Sequence, residues 1–586
     1  AQTAKLYETL DAWLTDPARI HDKRERNLEA LVRERAYTLV NRLVILMQLE
    51  QRGLRKVRLV SQGVQKSPFQ TERGFFFALM EGDDQGMTWV LQQVWDQLAL
   101  ELPALFTRDE VQECVPIPGT TLLWLLDQLN APELVDAWRD DTTLGWLYQF
   151  WNDPDREAVD AKLNTTSGKV EAHEIAAKTQ LFTERYMVEW LVQNSLGALW
   201  LSICKKRGRE PAATTLIKEL TARREVWNAR IAAGEVAATE ALPVGGAEIW
   251  WQYYVPQDIM AGLETPERLQ EIRVLDPAMG SGHFLVYVFD FLWELYLDQA
   301  RLDGENYTSE QIIDWILGCN LHGIDIDSRA VQIAAAALYI KVQERSPGYH
   351  IQRLQLVASD LGIAHLAADH PSVLAFAGTL ETEVGIDRKL SLKLIQSLRG
   401  AEYMGSLLQI GDEIDRIIES TRILGTTTAG PEAHERILAA LRDFIRDHDQ
   451  GEALGLRPPA DQLGKGLRLI ELLGMKYDVV VANPPYLGIA KAEQTYAEAI
   501  GDKYPISKTD LYGVFIERCL QMGRKNVRIA MVTMQNFMFL GSFLELRELI
   551  FRQSRVAAVA HLGAYAFQEL RDHALAAMFI LEAGAA

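Results

Sequence analysis

An amide and an aromatic ring follow a run of β-branched residues in the stretch DVVVANPPYLG. Two consecutive prolines continue neither a helix nor a central strand, so Asn-Pro-Pro-Tyr is predicted to form a rigid turn after a buried strand. The Asn483 side-chain oxygen and the Pro484 carbonyl can accept the hydrogens of an exocyclic amine and enrich its lone pair. Pro485 would fix this geometry without a competing N–H, and Tyr486 would offer a face for base stacking. The alternative is a plain strand-ending turn, which also favours Asn and Pro.

A glycine-rich turn follows another predicted strand in VLDPAMGSGHFL. Gly280 and Gly282 would let the backbone approach a ligand closely, and the helix that follows offers free N–H groups. A dinucleotide site would need Gly-x-Gly-x-x-Gly and a pyrophosphate to bind. Asp276 would instead repel a pyrophosphate and attract an amino group. The turn therefore predicts a zwitterionic nucleoside ligand such as S-adenosylmethionine.

Acidic residues also follow the next two predicted strands. HGIDID places Asp325 where nucleotide-binding α/β folds hold ribose hydroxyls, and Asp327 is predicted to cap the following helix. LVASDL places Asp360 where it could accept a hydrogen bond from an adenine amino group. A single acid at such a position is often a helix cap or a solvated turn. Three in succession, after a glycine-rich turn, favour a nucleoside site.

The elements that must position these residues alternate in type. From EIRVLDPAMGSG onward, short apolar strands alternate with helical stretches, which predicts a doubly wound, mostly parallel, Rossmann-like α/β sheet of seven strands. The preceding residues show helical periodicity, and most of the segment between Asp360 and Tyr477 does too. The predicted domains are a helical N-terminal domain (1–178), a bridging helical segment with a cofactor motif (179–250), the first part of the catalytic domain (251–365), a helical insertion (366–470) and the second part of the catalytic domain (471–586).

Length and charge limit the possible functions. The 586 residues are too many for one core, and a net charge of −20 argues against a surface covered by nucleic acid while allowing a local basic groove. We expect a cytoplasmic protein that does not enter the membrane, because the chain shows neither a bilayer-length apolar run nor a signal-peptide core. The four cysteines lie far apart, which argues against a Cys-x-x-Cys metal site, and no bound metal is expected.

These motifs together resemble the gamma class of DNA N6-adenine methyltransferases, in which the same motifs occur in the same order. The family's Asp-Pro-Ala-Cys-Gly-Ser-Gly is present here with Met279 in place of Cys. The resemblance implies a methyltransferase sheet, S-adenosylmethionine as cofactor, no catalytic metal, and double-stranded DNA as partner. It implies catalytic roles for Asn483, Pro484, Pro485 and Tyr486, and cofactor contacts at Asp276, Pro277, Ala278, Gly280, Gly282, Asp325 and Asp360.

The stretch TQLFTERYMVEWLVQNSLG resembles the family's N-terminal cofactor motif, usually Phe-Thr-Pro. It implies a cofactor contact at Thr183, with Glu184 where proline is usual; WWQYYVP is the alternative position for that motif. ERAYTLVNRLVILMQLEQRG, LGWLYQFWND and MVTMQNFMFL are similar to the PglX family of BREX phage-defence methyltransferases and to DrmMI of DISARM. That similarity implies other defence proteins as partners. Members continue into a target-recognition region, so we expect that region to be missing here or to lie on another chain.

Three functions remain open from the sequence. The first is a DNA adenine-N6 methyltransferase of a defence system, favoured by the helical N-terminus and by the Asp510-Leu511-Tyr512 segment. The second is an amino-methyltransferase of protein glutamine or rRNA, because amides and exocyclic amines pose the same chemical problem. The third is a non-catalytic DNA-sensing subunit, which the acidic charge would suit.

Overall fold

Seven strands form a single sheet with the order β3-β2-β1-β4-β5-β7-β6 in the computed structural model of the chain. The strands β1 to β5 pair in parallel, whereas β7 runs antiparallel to both of its neighbours. The prediction of a mostly parallel, doubly wound α/β sheet of seven strands is confirmed. The strands are Val274–Asp276 (β1), Leu321–Asp325 (β2), Leu356–Ala358 (β3), Tyr477–Ala482 (β4), Gly523–Met534 (β5), Ser554–Gly563 (β6) and Ala576–Ala583 (β7).

The structure describes most of the chain. The described residues are 24–62, 83–84, 86–108, 111–165, 168–257, 265–359, 388–397, 400–410, 458–564, 566–567 and 575–584, together with the isolated positions 10, 11, 14, 374, 377, 378 and 381.

The central strands are apolar because both of their faces are covered. Every residue of β4 is buried, as is every residue of β1 and β7. Continuous apolar runs of this kind are typical of strands in the interior of an α/β sheet. The edge strand β6 differs, since most of its residues are half-buried or exposed.

The strand order reverses at β1, which pairs with β2 on one side and with β4 on the other. In open α/β sheets, ligands bind outside the carboxyl ends of the strands at this switch point. The glycine-rich turn follows β1, and Asn-Pro-Pro-Tyr follows β4. The topology therefore brings these two motifs to one edge of the sheet.

The chain divides into two compact units. The first comprises Ala1–Trp151, Ala335–Ile351 and Gly451–Leu456, and in it the buried Arg42 donates to the carbonyl oxygens of Leu105 and Thr107. Its helices are Arg24–Gln51 (α1), Met87–Leu98 (α2), Pro103–Phe106 (α3), Gly119–Leu129 (α4) and the first part of Thr143–Leu163 (α5), with 3-10 turns at Gln112–Cys114, Pro132–Leu134 and Ala137–Arg139.

The second unit comprises Asn152–Ala334, Gln352–Gln450 and Arg457–Ala586, and it contains the whole sheet. Its helices are Ile175–Thr179 (α6), Arg185–Val192 (α7), Ala198–Lys206 (α8), Ala212–Ala232 (α9), His283–Asp303 (α10), Ser309–Trp315 (α11), Ser328–Arg345 (α12, whose last part falls in the first unit), Arg388–Ser397 (α13), Ala401–Met404 (α14), Pro458–Gly474 (α15), Gln494–Lys503 (α16), Leu511–Met522 (α17), Asn536–Phe539 (α18) and Leu544–Gln553 (α19). Gln193–Gly197 and Ile316–Asn320 are π-helical, and 3-10 turns lie at Ala172–Glu174, Gly246–Trp250, Leu269–Glu271, Gly405–Leu407, Ile489–Lys491 and Gly541–Phe543.

Part of the predicted insertion packs into the core of the second unit. Leu407 and Leu408 are buried in the same apolar cluster as the strands. The buried Arg518 of α17 donates from Nε to the Ser406 carbonyl at 2.9 Å and from Nη2 to the Leu408 carbonyl at 2.6 Å. Much of 366–470 lies outside the described residues, and the boundaries of the five predicted domains stay predictions. Among the helices that the structure describes, none is long and apolar enough to cross a membrane.

Candidate functional site

The glycine-rich turn connects the end of β1 to the start of α10. Gly280 has φ +52° and Gly282, the N-cap of α10, has φ +82°, a backbone region that favours glycine. A Cβ on Gly282 would lie 2.7 Å from the Cβ of Ala334, so this glycine allows α10 to pack closely against α12. A Cβ on Gly280 would meet nothing within 4 Å. The turn therefore presents its backbone to open space at Gly280.

Asp276 ends β1 with a carboxylate that is almost wholly buried. One carboxylate oxygen accepts a hydrogen bond from the Ala278 backbone N–H at 3.1 Å, which shapes the start of the turn. Burial, and then the nearby Asp325, raise the pKa of Asp276 well above its usual range. A cationic amino group placed here would favour the ionised carboxylate.

Asp325 ends β2 and holds the glycine-rich turn from the other side. Its Oδ2 accepts from the Gly280 N–H at 2.8 Å, and its Oδ1 accepts from the Asp327 N–H at 2.9 Å. Burial raises the pKa of Asp325 to about 6, although these hydrogen bonds oppose the shift. Asp327 accepts from the Arg329 N–H at 2.8 Å, which confirms its prediction as the cap of α12. Asp325, not Asp327, is thus the acid in contact with the glycine-rich turn.

Met279 points away from this open space. Its backbone N–H donates to the Ile324 carbonyl at 3.1 Å, and its side chain is buried. A Cβ on Gly323 of β2 would come within 2.3 Å of the Met279 sulfur, so the missing side chain at 323 makes room for methionine. This packing is why the larger residue fits where the family usually has Cys.

The Asn483 amide, directly after β4, has a defined orientation. Its Nδ2 donates to the Leu181 carbonyl at 3.2 Å and to the Thr183 hydroxyl at 3.0 Å. On the other side, the Tyr486 hydroxyl donates to the Asn483 side-chain oxygen at 2.6 Å and lies 3.1 Å from the Val532 carbonyl oxygen. An amide oxygen accepts two hydrogen bonds, so it keeps capacity for one further donor.

The exit of the Asn-Pro-Pro-Tyr turn is fixed to the start of α17. The Asp510 carboxylate accepts from the Leu487 N–H at 3.1 Å and from the Tyr512 N–H at 3.4 Å. The Leu511 N–H in turn donates to the Leu487 carbonyl at 3.0 Å. Burial raises the pKa of Asp510 to about 6. Asp510 therefore caps α17 and also holds the end of the Asn-Pro-Pro-Tyr turn in place.

The Tyr486 ring lies among other aromatic rings. It meets Tyr512 edge-on at 6.2 Å between ring centroids and Phe567 at 6.3 Å. Burial raises the pKa of the Tyr486 hydroxyl, so that this hydroxyl keeps its proton and donates to the Asn483 oxygen. The Tyr486 ring therefore packs among aromatic rings, while its hydroxyl bonds to Asn483.

The structure brings most of the predicted site residues to one edge of the sheet. Asp360 lies outside the described residues. The Thr183 hydroxyl accepts a hydrogen bond from the Asn483 amide, and the cofactor contact that the resemblance implies for Thr183 stays a prediction. Sequence patterns did not predict the Leu181 and Val532 carbonyls, nor His283, whose ring nitrogen Nδ1 lies 2.8 Å from the Thr183 carbonyl oxygen.

Two family models match this part of the chain. Residues 319–567 match the model described as Eco57I restriction-modification methylase. Residues 258–360 match the model described as MmeI, DNA-methyltransferase domain.

Curated relatives match over most of the chain. Adenine-specific methyltransferase PglX of Lacticaseibacillus casei (strain Zhang) is 30% identical over 483 residues, 80% of this chain and 34% of that protein. Adenine-specific methyltransferase BrxX of Escherichia coli O9:H4 (strain HS) is 26% identical over 599 residues, 93% of this chain and 43% of that protein. The chain thus spans less than half the length of these relatives. Among solved structures, the match to the DrdV–DNA complex covers 95% of this chain and 42% of that chain, at 12% identity and a TM-score of 0.37.

Proposed function

Because this chain carries an Eco57I-type methylase domain and is related to PglX and BrxX, we propose that it contains the catalytic part of a DNA adenine-N6 methyltransferase of a BREX-type defence system. One observation carries the proposal. The Asn483 amide donates both of its hydrogens within the protein, and its oxygen, which already accepts from Tyr486, keeps capacity for one substrate amine hydrogen one strand away from the glycine-rich turn.

The residues at this edge fit S-adenosylmethionine as cofactor. The open space over Gly280 admits a ligand close to the backbone. The buried Asp276 suits the cofactor's amino group, and Asp325 suits the ribose hydroxyls, because both donors favour an ionised carboxylate. When bound, this cofactor supplies a methyl group activated by a sulfonium centre. Pro277 and Ala278 complete the turn that would hold it.

The catalytic residues would act by positioning a flipped adenine. An exocyclic amine is a weak nucleophile, since its lone pair is delocalised into the ring. The Asn483 oxygen and the Pro484 carbonyl would accept the two amine hydrogens and favour a tetrahedral nitrogen. Pro485 would keep the turn rigid, and the Tyr486 ring would support the base taken out of the duplex. The nitrogen would lose its proton after methyl transfer, so a strong general base is unnecessary.

The partners follow from this function. We propose double-stranded DNA as substrate and other proteins of the defence system as partners. A cytoplasmic location is proposed with them, since that is where the DNA lies.

The experiment uses the complete protein in its host. DNA is sequenced for N6-methyladenine in cells that have the gene, in cells that lack it, and in cells that carry Asn483→Ala. We expect a methylated motif only with the wild-type gene. Transfer of tritium from labelled cofactor to protein or rRNA, and not to DNA, would support the amide or rRNA alternative. Methylation that persists with Asn483→Ala would contradict the assigned site.

A further inference from the structure

Residues 180–183, here called the strap, connect the glycine-rich turn to the Asn-Pro-Pro-Tyr turn. On one side, the Leu181 carbonyl and the Thr183 hydroxyl accept both hydrogens of the Asn483 amide. On the other side, the strap contacts His283, the first residue of α10. The strap therefore lies between the residue proposed to hold the substrate amine and the turn proposed to hold the cofactor.

His283 holds the strap in two ways. Its Nδ1 lies 2.8 Å from the Thr183 carbonyl oxygen, and its ring stacks on Phe182 with 4.6 Å between centroids and 13° between planes. A carbonyl oxygen only accepts, so Nδ1 must carry the hydrogen of this bond. The contact thus fixes both the tautomer of His283 and the direction of the Thr183 carbonyl.

The start of the strap is held as well. Asn152 of α5 donates from its side chain to the side-chain oxygen of Gln180. Arg329 of α12 donates to the Asn152 side-chain oxygen at 3.4 Å, and Arg329 is paired with Asp327 at 2.7 Å. With Gln180 anchored at one end and Thr183 at the other, the positions of the two oxygen atoms that receive the Asn483 hydrogens are set.

From these contacts we propose that His283 is a positioning residue for methyl transfer, which acts on the Asn483 amide through the strap. The proposal rests on the proposed function. If the Thr183 carbonyl turns, the Thr183 hydroxyl and the Leu181 carbonyl move with it. The Asn483 amide can then rotate and present its NH2 group to the substrate amine, where a donor opposes the reaction. His283 therefore affects catalysis without a contact to the reacting atoms.

The test compares three substitutions at one position in the complete protein. His283→Leu keeps bulk and removes the donor, His283→Gln moves the donor outward, and His283→Asn places an amide N–H near the position of Nδ1. We expect His283→Leu and His283→Gln to lower kcat about 5- to 10-fold, the effect of one hydrogen bond, with cofactor affinity within about twofold. His283→Asn should restore kcat to within about threefold of wild type. His350→Leu, at an exposed histidine of the other unit, is the matched control.

A double substitution shows whether the effect passes through the strap. Thr183→Val removes the hydroxyl that receives Asn483 and keeps the shape of the side chain. The double variant combines His283→Leu with Thr183→Val. If His283 acts through Thr183, the kcat of this double variant should be close to that of Thr183→Val alone, a clear departure from additivity. Additive losses would overturn the proposal. So would a fall in cofactor affinity in His283→Leu that accounts for the whole loss, because His283 would then be a cofactor contact.

A second readout does not depend on activity. Hydrogen–deuterium exchange of a peptide that spans residues 180–187 should be faster in His283→Leu than in His283→Asn, which loses the ring stack but keeps the hydrogen bond. Equal exchange in all variants would overturn the role of the strap. If wild-type protein methylates neither DNA, protein nor rRNA, the proposed function fails, while the exchange measurement still decides whether His283 holds the strap.

Discussion

At the scale of single residues, the Asn483 amide is the group whose orientation matters most for the proposed chemistry. Both hydrogens of its nitrogen are directed at oxygen atoms, the Leu181 carbonyl and the Thr183 hydroxyl. A carboxylate in the same place would bring oxygen against the Leu181 carbonyl, and the two would repel each other. The side chain must therefore be an amide, and its orientation follows from contacts within the protein before any substrate binds.

The first prediction concerns this amide. Asn483→Asp should lower kcat on the order of 100-fold or more, similar to Asn483→Ala, because repulsion from Leu181 turns the acceptor away from the amine. Methyl transfer from labelled cofactor to DNA measures the loss. Titration calorimetry with cofactor is the control and should show little change. Substantial activity in Asn483→Asp would mean that the amide orientation does not matter.

The second prediction separates the two tasks of Tyr486. Tyr486→Phe removes the hydroxyl that donates to the Asn483 oxygen and keeps the ring. It should lower kcat about fivefold, the size of one net hydrogen bond, with the KM for DNA unchanged. Tyr486→Ala should also raise the KM for DNA, because the stacking face is lost. Identical kinetics in the two variants would contradict this division.

The third prediction follows from the pKa of Asp325, which burial raises to about 6. An acid with a raised pKa binds its proton more tightly in the folded protein, so its contribution to stability is present at low pH and is lost as the pH rises through about 6. Ribose hydroxyls donate to the ionised form. Cofactor affinity should therefore increase between pH 5 and pH 7 and be flat above. Calorimetry in buffers of different ionisation enthalpy should detect proton release on cofactor binding near pH 6. Asp325→Asn should abolish the proton release that comes from Asp325.

At the scale of elements, the parts of the fold that depend on neighbours in sequence were predictable. Apolar runs followed by glycine, acid or proline indicated β1, β2, β4 and the turns after them. The contact between Thr183 and Asn483 was not predictable, because it joins residues 300 positions apart that share no local pattern. The packing of 405–408 was missed for the same reason, since the two backbone carbonyls that Arg518 binds leave no trace in side-chain type.

The fourth prediction compares the two glycines of the turn. Gly280→Ala places a methyl group in open space at φ +52°, so it should cost about 1 kcal/mol of stability and lower cofactor affinity more than tenfold. Gly282→Ala would drive its Cβ to 2.7 Å from the Cβ of Ala334 and should destabilise the protein by about 2–4 kcal/mol. Urea unfolding and cofactor titration measure the two effects. If Gly280→Ala mainly lowered stability and Gly282→Ala mainly lowered cofactor affinity, the assignment of Gly280 to the ligand side would be wrong.

At the scale of the whole molecule, a net charge of −20 must be reconciled with the proposed nucleic-acid substrate. Exposed lysines near the Asn-Pro-Pro-Tyr turn would provide local positive charge. Lys169 donates to the Ala490 carbonyl, and the backbone of Val170 pairs with that of Lys491 at 2.9 Å. Ile489 donates to the carbonyl of Thr509, which follows Lys508. These backbone pairs bring three lysine positions, 169, 491 and 508, to the 3-10 turn Ile489–Lys491, which follows Asn-Pro-Pro-Tyr. These three positions are here called the rim.

The fifth prediction tests whether this rim binds phosphates. Replacing Lys169, Lys491 and Lys508 with Ala should weaken DNA binding and reduce the slope of log affinity against log salt by about 2.7, or 0.9 for each lost phosphate contact. Cofactor affinity should not change. Ala at Lys205, Lys206 and Lys218, three exposed lysines on α8 and α9, removes the same charge and is the control. If both triple variants lose the same affinity, only the overall charge matters. A loss confined to the first variant would mean that this acidic protein holds DNA through the three lysines beside the Asn-Pro-Pro-Tyr turn, where a flipped adenine would have to enter.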